Sequence, residues 1–156
     1  MKNTRSGVTI LGIGSPLRRD DGIGIRIIQE MLKEKKYEGM NIIDGGTSPD
    51  LPSLLEEHLG KLIIIDALKG GGKPGEVYRL EITDSRMADD IPGSVHGLGV
   101  LDGLKMMKIL GTEPSEVLLI GIEPYDTSYG LGLSPMIEAA IPALIKAVEA
   151  ELGVLY

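Results

Sequence analysis

Gly12-Ile13-Gly14-Ser15-Pro16-Leu17-Arg18-Arg19-Asp20-Asp21-Gly22-Ile23-Gly24 decides the fold of this 156-residue chain. Val8 to Leu11 just before it is a short apolar run, and glycine and proline then turn the chain. Two adjacent acids follow, and Ile23, Ile27, Ile28 and Leu32 recur at helical spacing. A strand that ends in a Gly-rich turn and feeds a helix is the repeating unit of an α/β sheet. The crevice beyond its strand ends is where such sheets place ligands.

Working outward, Val8 to Gly12 reads as a buried strand and Asp20 to about Lys35 as the first helix. Asn41-Ile42-Ile43-Asp44 is a second strand, and Gly45-Gly46-Thr47-Ser48-Pro49 a turn. A short helix opens at Pro49-Asp50-Leu51-Pro52 and carries Leu54, Leu55 and His58. Leu62-Ile63-Ile64-Ile65-Asp66 is continuous and branched, as expected of a strand covered on both faces. After the flexible Gly70 to Gly75 turn, Glu76 to Ile82 alternates like an antiparallel edge strand, and Thr83 to Pro92 reads as a loop. Leu98, Leu101, Leu104 and Met107 or Ile109 mark a helix with Val95-His96-Gly97 ahead of it. Val117 to Ile122 is the last strand and Glu123 to Gly130 a long loop. Ser134 as cap, Pro135 and Glu138 start a final helix running to about Leu152. The order β-α-β-α-β-β-α-β-α predicts a three-layer α/β/α sandwich around a mostly parallel, twisted five-stranded sheet with one antiparallel strand, as one domain over residues 1–156.

The bulk composition narrows the function classes. A net charge of −7 argues against binding a nucleic-acid backbone, which needs a basic patch. The apolar runs are too short to span a bilayer, and Met1 to Arg5 leads into no signal-peptide core, so a cytoplasmic location without membrane attachment is expected. With no cysteine there is no disulfide, thiolate metal site or Cys nucleophile. Phe and Trp are absent too, so the core is built from Ile, Leu, Val, Met and Ala.

Asp20 and Asp21 follow strand one, Asp44 ends strand two, Asp66 ends strand three and His96 precedes a helix. Two or three carboxylates and one imidazole on one rim suit a divalent metal such as zinc, nickel or manganese, or the positioning of a water. Each residue also has a plain structural reading. Asp20 reads most simply as an N-cap accepting bonds from first-turn amides, and Asp21 as a charge favourable to the helix dipole. Side chains of neighbouring helix residues diverge, so the two do not form a close dyad. Asp44 before two glycines reads as a turn residue. His96 reads equally as a loop histidine, and His58 as a solvated helix residue. Asp66 resists such a reading, because burying an acid after four branched residues is costly without a partner. Gly12-x-Gly14 with Asp44 imitates a dinucleotide-binding turn. However, Leu17 stands where a third glycine is needed, and two acids occupy the place of the pyrophosphate.

The motif Gly12-Ile13-Gly14-Ser15-Pro16-Leu17-x-x-Asp20-Asp21-Gly22-Ile23-Gly24 resembles the N-terminal signature of the nickel-iron hydrogenase maturation endopeptidases. The likeness continues through Asp44 to Thr47, Ile63 to Ala67, Ser94 to Leu98 and Gly130 to Pro135, in the family's order and over nearly the whole chain. It implies an aspartate-type endopeptidase that removes a short C-terminal extension from a hydrogenase large-subunit precursor once nickel is in place. The family's triad, carried over by motif position, is Asp21, Asp66 and His96, serving as both metal ligands and catalytic residues. Asp44, Gly45, Gly46 and Thr47 would form a substrate-selecting loop beside it. On the same pattern nickel arrives with the substrate and no tightly bound metal of its own is expected; separately, a monomer that meets its partner transiently is the expected state. Two departures stand out. Ser15 replaces the family's more usual asparagine, and Gly46 to Asp50 differs from the glycine-containing loops of some members. No HExxH helix is present, and neither Ser15 nor Ser94 lies in a nucleophile elbow. The competing expectation is a non-catalytic nickel-sensing chaperone that uses the same triad.

Overall fold

The computed structural model describes residues 7–55, 60–84, 93–94 and 96–153. The expectations for His58, Val95 and most of the Thr83 to Pro92 loop fall outside them, as does the side chain of Leu98. Strand β1 (Val8–Gly12) lies between β2 (Asn41–Asp44) and β3 (Lys61–Ala67), parallel to both. Strand β5 (Glu116–Ile122) runs parallel to β3, and β4 (Val77–Glu81) closes the edge antiparallel to β5. The order is β2-β1-β3-β5-β4, the expected mostly parallel sheet with one antiparallel strand. Among the described strands β4 alone has an alternating burial pattern, as befits an edge.

Helices cover both faces. On one, α1 (Ile23–Leu32) and the last helix, α4 (Pro135–Ala150), pack Ile23, Ile27, Ile28, Met31, Ile137 and Leu144 over Ile10, Ile63, Ile65 and Ile120. On the other, α2 (Leu51–Leu54) and α3 (Gly97–Leu110) set Leu51, Leu101, Leu104 and Met107 against Leu11, Leu62, Ile64 and Leu119. Successive residues of β3 therefore feed opposite cores, which is why its sequence shows no alternation. One position differs from the sequence periodicity, because Met31 takes the buried place on α1 and leaves Leu32 exposed. On α3 the alternative between Met107 and Ile109 falls to Met107, which is buried while Ile109 is exposed. The expected first helix is also split, because a 3-10 turn, Arg19–Gly22, precedes α1.

That split matters for the acids. The turn closes through its own backbone, with Asp21 N donating to Arg18 O at 3.0 Å. The cap position before α1 is Gly22, so the reading of Asp20 as an N-cap is not what the structure shows. Its carboxylate instead reaches across to the loop after β5. There Oδ2 accepts from Tyr125 N at 3.0 Å and Asp126 N at 2.8 Å. Ser134 N donates to Oδ1 and Ser134 Oγ to Oδ2, both at 2.7 Å. The physical reason is supply, since that loop offers free amides that no secondary structure satisfies. Glycine brings the turn close to the sheet. A Cβ at Gly24 would stand 2.3 Å from Ile65 O and 2.4 Å from Ile13 O, so α1 starts against the ends of β1 and β3. Gly14, at φ +145°, passes so near the turn that a Cβ there would meet Asp21 O at 2.0 Å.

Candidate metal and catalytic site

Strand order reverses direction about β1, since β2 lies to one side and β3 to the other. The crevice beyond the carboxyl ends of β1 and β3 is the topological switch point, where open parallel sheets bind ligands. Asp21 enters it from the 3-10 turn after β1, Asp66 from the penultimate position of β3, and His96 from the cap position of α3. One donor atom from each of the three lies within 4.8 Å of the others. His96 Nδ1 is 3.1 Å from both Asp66 oxygens, and His96 Nε2 is 3.7 Å from Asp21 Oδ2.

Each carboxylate is held by further donors. Ser15 N donates to Asp21 Oδ2 at 2.9 Å. Ala67 N donates to Asp66 Oδ1 at 2.8 Å, and Ser94 Oγ approaches Oδ2 at 3.4 Å. Asp21 and Asp66 are both buried. Burial pushes the Asp66 carboxyl above the usual carboxylate range, although its bond to His96 opposes the shift. That same bond raises the His96 pKa against the opposing effect of burial, with the Asp66 and Asp21 charges adding to the rise. Two carboxylate oxygens and an imidazole nitrogen, with no sulfur, are a donor set for a borderline divalent ion.

Of the residues singled out in the sequence, Asp21, Asp66 and His96 converge, and Asp20 and Asp21 diverge as neighbours on a turn must. Asp44 is exposed, and its Oδ1 accepts Gly46 N at 2.9 Å, a turn bond. Its loop is nonetheless fastened beside the site, with Gly14 N donating to Gly46 O at 3.0 Å and Gly45 N to Gly12 O at 2.8 Å. Two residues escaped the sequence reading. Glu123 is buried, and its carboxylate accepts Gly70 N and Gly71 N, each at 2.9 Å, which organises the glycine turn after β3. An acid directly after the apolar run of β5 is the same signal that marked Asp66. The other is Arg18, whose positive charge bears on His96 from the rim. Nothing in its sequence context separates it from Arg19.

The molecule is therefore an α/β protein with a carboxylate–carboxylate–imidazole cluster at the switch point of its parallel sheet. Residues 25–151 match the family model described as hydrogenase maturation protease, and the chain belongs to that family. It is 32% identical to the hydrogenase expression/formation protein HoxM of Azotobacter vinelandii over 97% of this chain and 76% of that one. It is 31% identical to the hydrogenase 2 maturation protease of Escherichia coli (strain K12) over 93% of this chain and 90% of that one. The structure of the hydrogenase maturating endopeptidase HybD from E. coli superposes with a TM-score of 0.79 at 28% identity, covering 93% of this chain and 91% of that one. The chain is thus a peptidase of hydrogenase maturation. None of its described helices is long and apolar enough to cross a membrane.

Proposed function

We propose that this protein hydrolyses the peptide bond that joins a C-terminal extension to a nickel-iron hydrogenase large subunit, and that it recognises the nickel already seated in that precursor. The observation that carries the reading is the convergence of one donor atom each from Asp21, Asp66 and His96 within 4.8 Å at the strand ends. Three protein donors leave room for the ligands that a substrate-borne ion brings with it. An ion held between substrate and triad would polarise the scissile carbonyl.

The chain's own groups supply the rest. Asp21 or Asp66 would take a proton from the attacking water, and the hydrogen bond of His96 to Asp66 would orient the imidazole. The water oxygen bonds to the carbonyl carbon, the C–N bond breaks, and the proton passes to the departing amine. The Asp44 to Thr47 loop, tied to Gly12 and Gly14, would select the polypeptide around the bond. The protein itself needs no resident metal on this reading. The test is a cleavage assay on large-subunit precursor prepared with and without nickel. Loss of the extension only in the nickel-loaded sample is expected. Metal-dependent binding with no change in precursor size would replace the peptidase reading with that of a metal-sensing chaperone.

A further inference from the structure

A second feature adjoins the triad. Residues 17–19 and 129–131 form a short two-stranded strap. Gly130 N donates to Leu17 O at 2.9 Å, Arg19 N donates to Gly130 O at 3.2 Å, and Arg18 and Gly130 form an isolated parallel bridge. Underneath, the buried Asp20 carboxylate pins the loop to the turn that carries Asp21. On the outside the strap displays large apolar side chains: Leu17 is 64% exposed, Tyr129 83% and Leu131 76%, and Tyr125, on the loop leading to it, is 64% exposed. Single exposed apolar residues are ordinary, but three on one hydrogen-bonded strap, with Tyr125 on the loop that leads into it, form a patch of the kind that marks an interaction surface.

Charge narrows the occupant. The Arg18 guanidinium lies 5.4 Å from the centre of the Tyr129 ring, and its Nε donates to Thr127 O at 3.2 Å. Among the described residues no carboxylate pairs with it, whereas its neighbour Arg19 faces Asp126 at 3.7 Å. An unpaired arginine at the rim of a site, in a chain of net charge −7, is complementary to an acidic group from outside.

We propose that the strap is the docking surface for the substrate polypeptide next to its scissile bond, taking apolar side chains on Leu17, Tyr129 and Leu131 and an aspartate or glutamate carboxylate on Arg18. The inference rests on the peptidase reading of the triad, because it places the same polypeptide on both. The experiment measures binding and cleavage of each nickel-loaded hydrogenase large-subunit precursor of the source organism. The variants compared with the wild type are Arg18→Glu, Arg18→Lys and a combined Leu17→Ser, Tyr129→Ser, Leu131→Ser chain, with sedimentation of each protein alone. Leu17, Tyr129 and Leu131 are exposed and Arg18 is partly buried, and the fold of each variant is checked by its unfolding midpoint.

For the strap variants KM and Kd are expected to rise at least tenfold, with a smaller fall in kcat. Arg18→Lys should recover part of the loss. Changing the matching acidic residue of the precursor to lysine should restore binding to Arg18→Glu. Unchanged KM and Kd in both Arg18→Glu and the apolar variant would overturn the docking surface while leaving the peptidase intact. A wild-type dimer that the apolar variant dissociates would reassign the strap to self-association. If the wild type binds a precursor without cleaving it, the peptidase reading fails, and the Kd series still decides the surface. Binding of no precursor at all would overturn both.

Discussion

Asp20 and Ser134 lie 114 residues apart and meet twice at 2.7 Å, through the Ser134 amide on one carboxylate oxygen and its hydroxyl on the other. Ser134 sits at the cap position of α4, yet it makes no side-chain bond to the helix amides and gives its hydroxyl to Asp20. The start of the last helix is thereby fastened to the turn that presents Asp21 to the site. Two adjacent acids divide the work, one holding the scaffold together and one facing the crevice.

The Asp20 carboxylate collects four donors while fully buried, so replacing it leaves amides and a hydroxyl without partners. Asp20→Ala is expected to cost about 2–4 kcal/mol of stability, and Asp20→Asn nearly as much, because its NH2 group would face donors. Ser134→Ala should cost only about 1 kcal/mol. Urea unfolding midpoints check the order. A loss in Asp20→Ala no larger than in Ser134→Ala would mean that the clamp is not cooperative.

Asp66 should behave in the opposite way. Burial disfavours its charged form, so the fold gains little from the carboxylate that the site needs. Asp66→Asn keeps an oxygen for the Ala67 amide and is expected to change stability by no more than about 1 kcal/mol. Cleavage should fall by a factor of about 10² or more, the scale on which acid–base groups contribute. Paired unfolding and single-turnover measurements separate the two effects. An Asp66→Asn enzyme that cleaves at the normal rate would remove Asp66 from the mechanism.

Sequence periodicity reached the architecture because β3 and β5 are so apolar that only a doubly covered sheet accommodates them. It reached Asp66 for the same reason, since an acid at the end of such a strand demands an explanation. The grouping of Asp21 and His96 with it came from family likeness, because no local spacing encodes a meeting of residues 21, 66 and 96. Asp20 was misread because N-cap logic is local, whereas its partners lie at residues 125–134. Glu123 carried a legible signal that went unused, and the Arg18 environment exists only once residues 127 and 129 fold against it.

The first turn of α1 offers a steric test of how the site is positioned. Gly24 has no room for a methyl group, with carbonyl oxygens of Ile65 and Ile13 inside 2.5 Å of where a Cβ would stand. Both neighbours are backbone, and Ile65 adjoins Asp66 directly. Gly24→Ala must therefore push α1 and its preceding turn away from the strand ends, at about 3 kcal/mol or more. Because Asp21 rides on that turn, cleavage should fall further than the loss of folded protein explains. Gly99→Ala, where nothing lies within 4 Å of the added Cβ, is the control and should leave both properties nearly unchanged. Equal behaviour of the two variants would mean that the turn moves without consequence for the site.

At the opposite end of the sheet, Glu151 ties the end of α4 to two strands. Lys61 Nζ lies 3.0 Å from its Oε2, and Arg79 Nε 2.6 Å from its Oε1. The hydrogen bond from Arg79, with help from Lys61, holds the Glu151 carboxyl down to about 2. A carboxyl whose pKa is lower folded than unfolded stabilises the protein above its unfolded value and loses that contribution as pH falls through the folded one. Here the window runs from about 4.5 down to about 2. Because Arg79 is about half exposed, solvent screening limits the contribution to about 1–2 kcal/mol. Glu151→Gln should therefore be less stable than the wild type at neutral pH, with the gap closing progressively below about pH 4.5. High salt at neutral pH should narrow it as well, through the exposed Arg79 arm rather than the more enclosed Lys61. Urea unfolding across a pH series reads both effects. A gap that stays constant from neutral pH down to pH 3 would show that it does not come from the ionised Glu151 carboxylate.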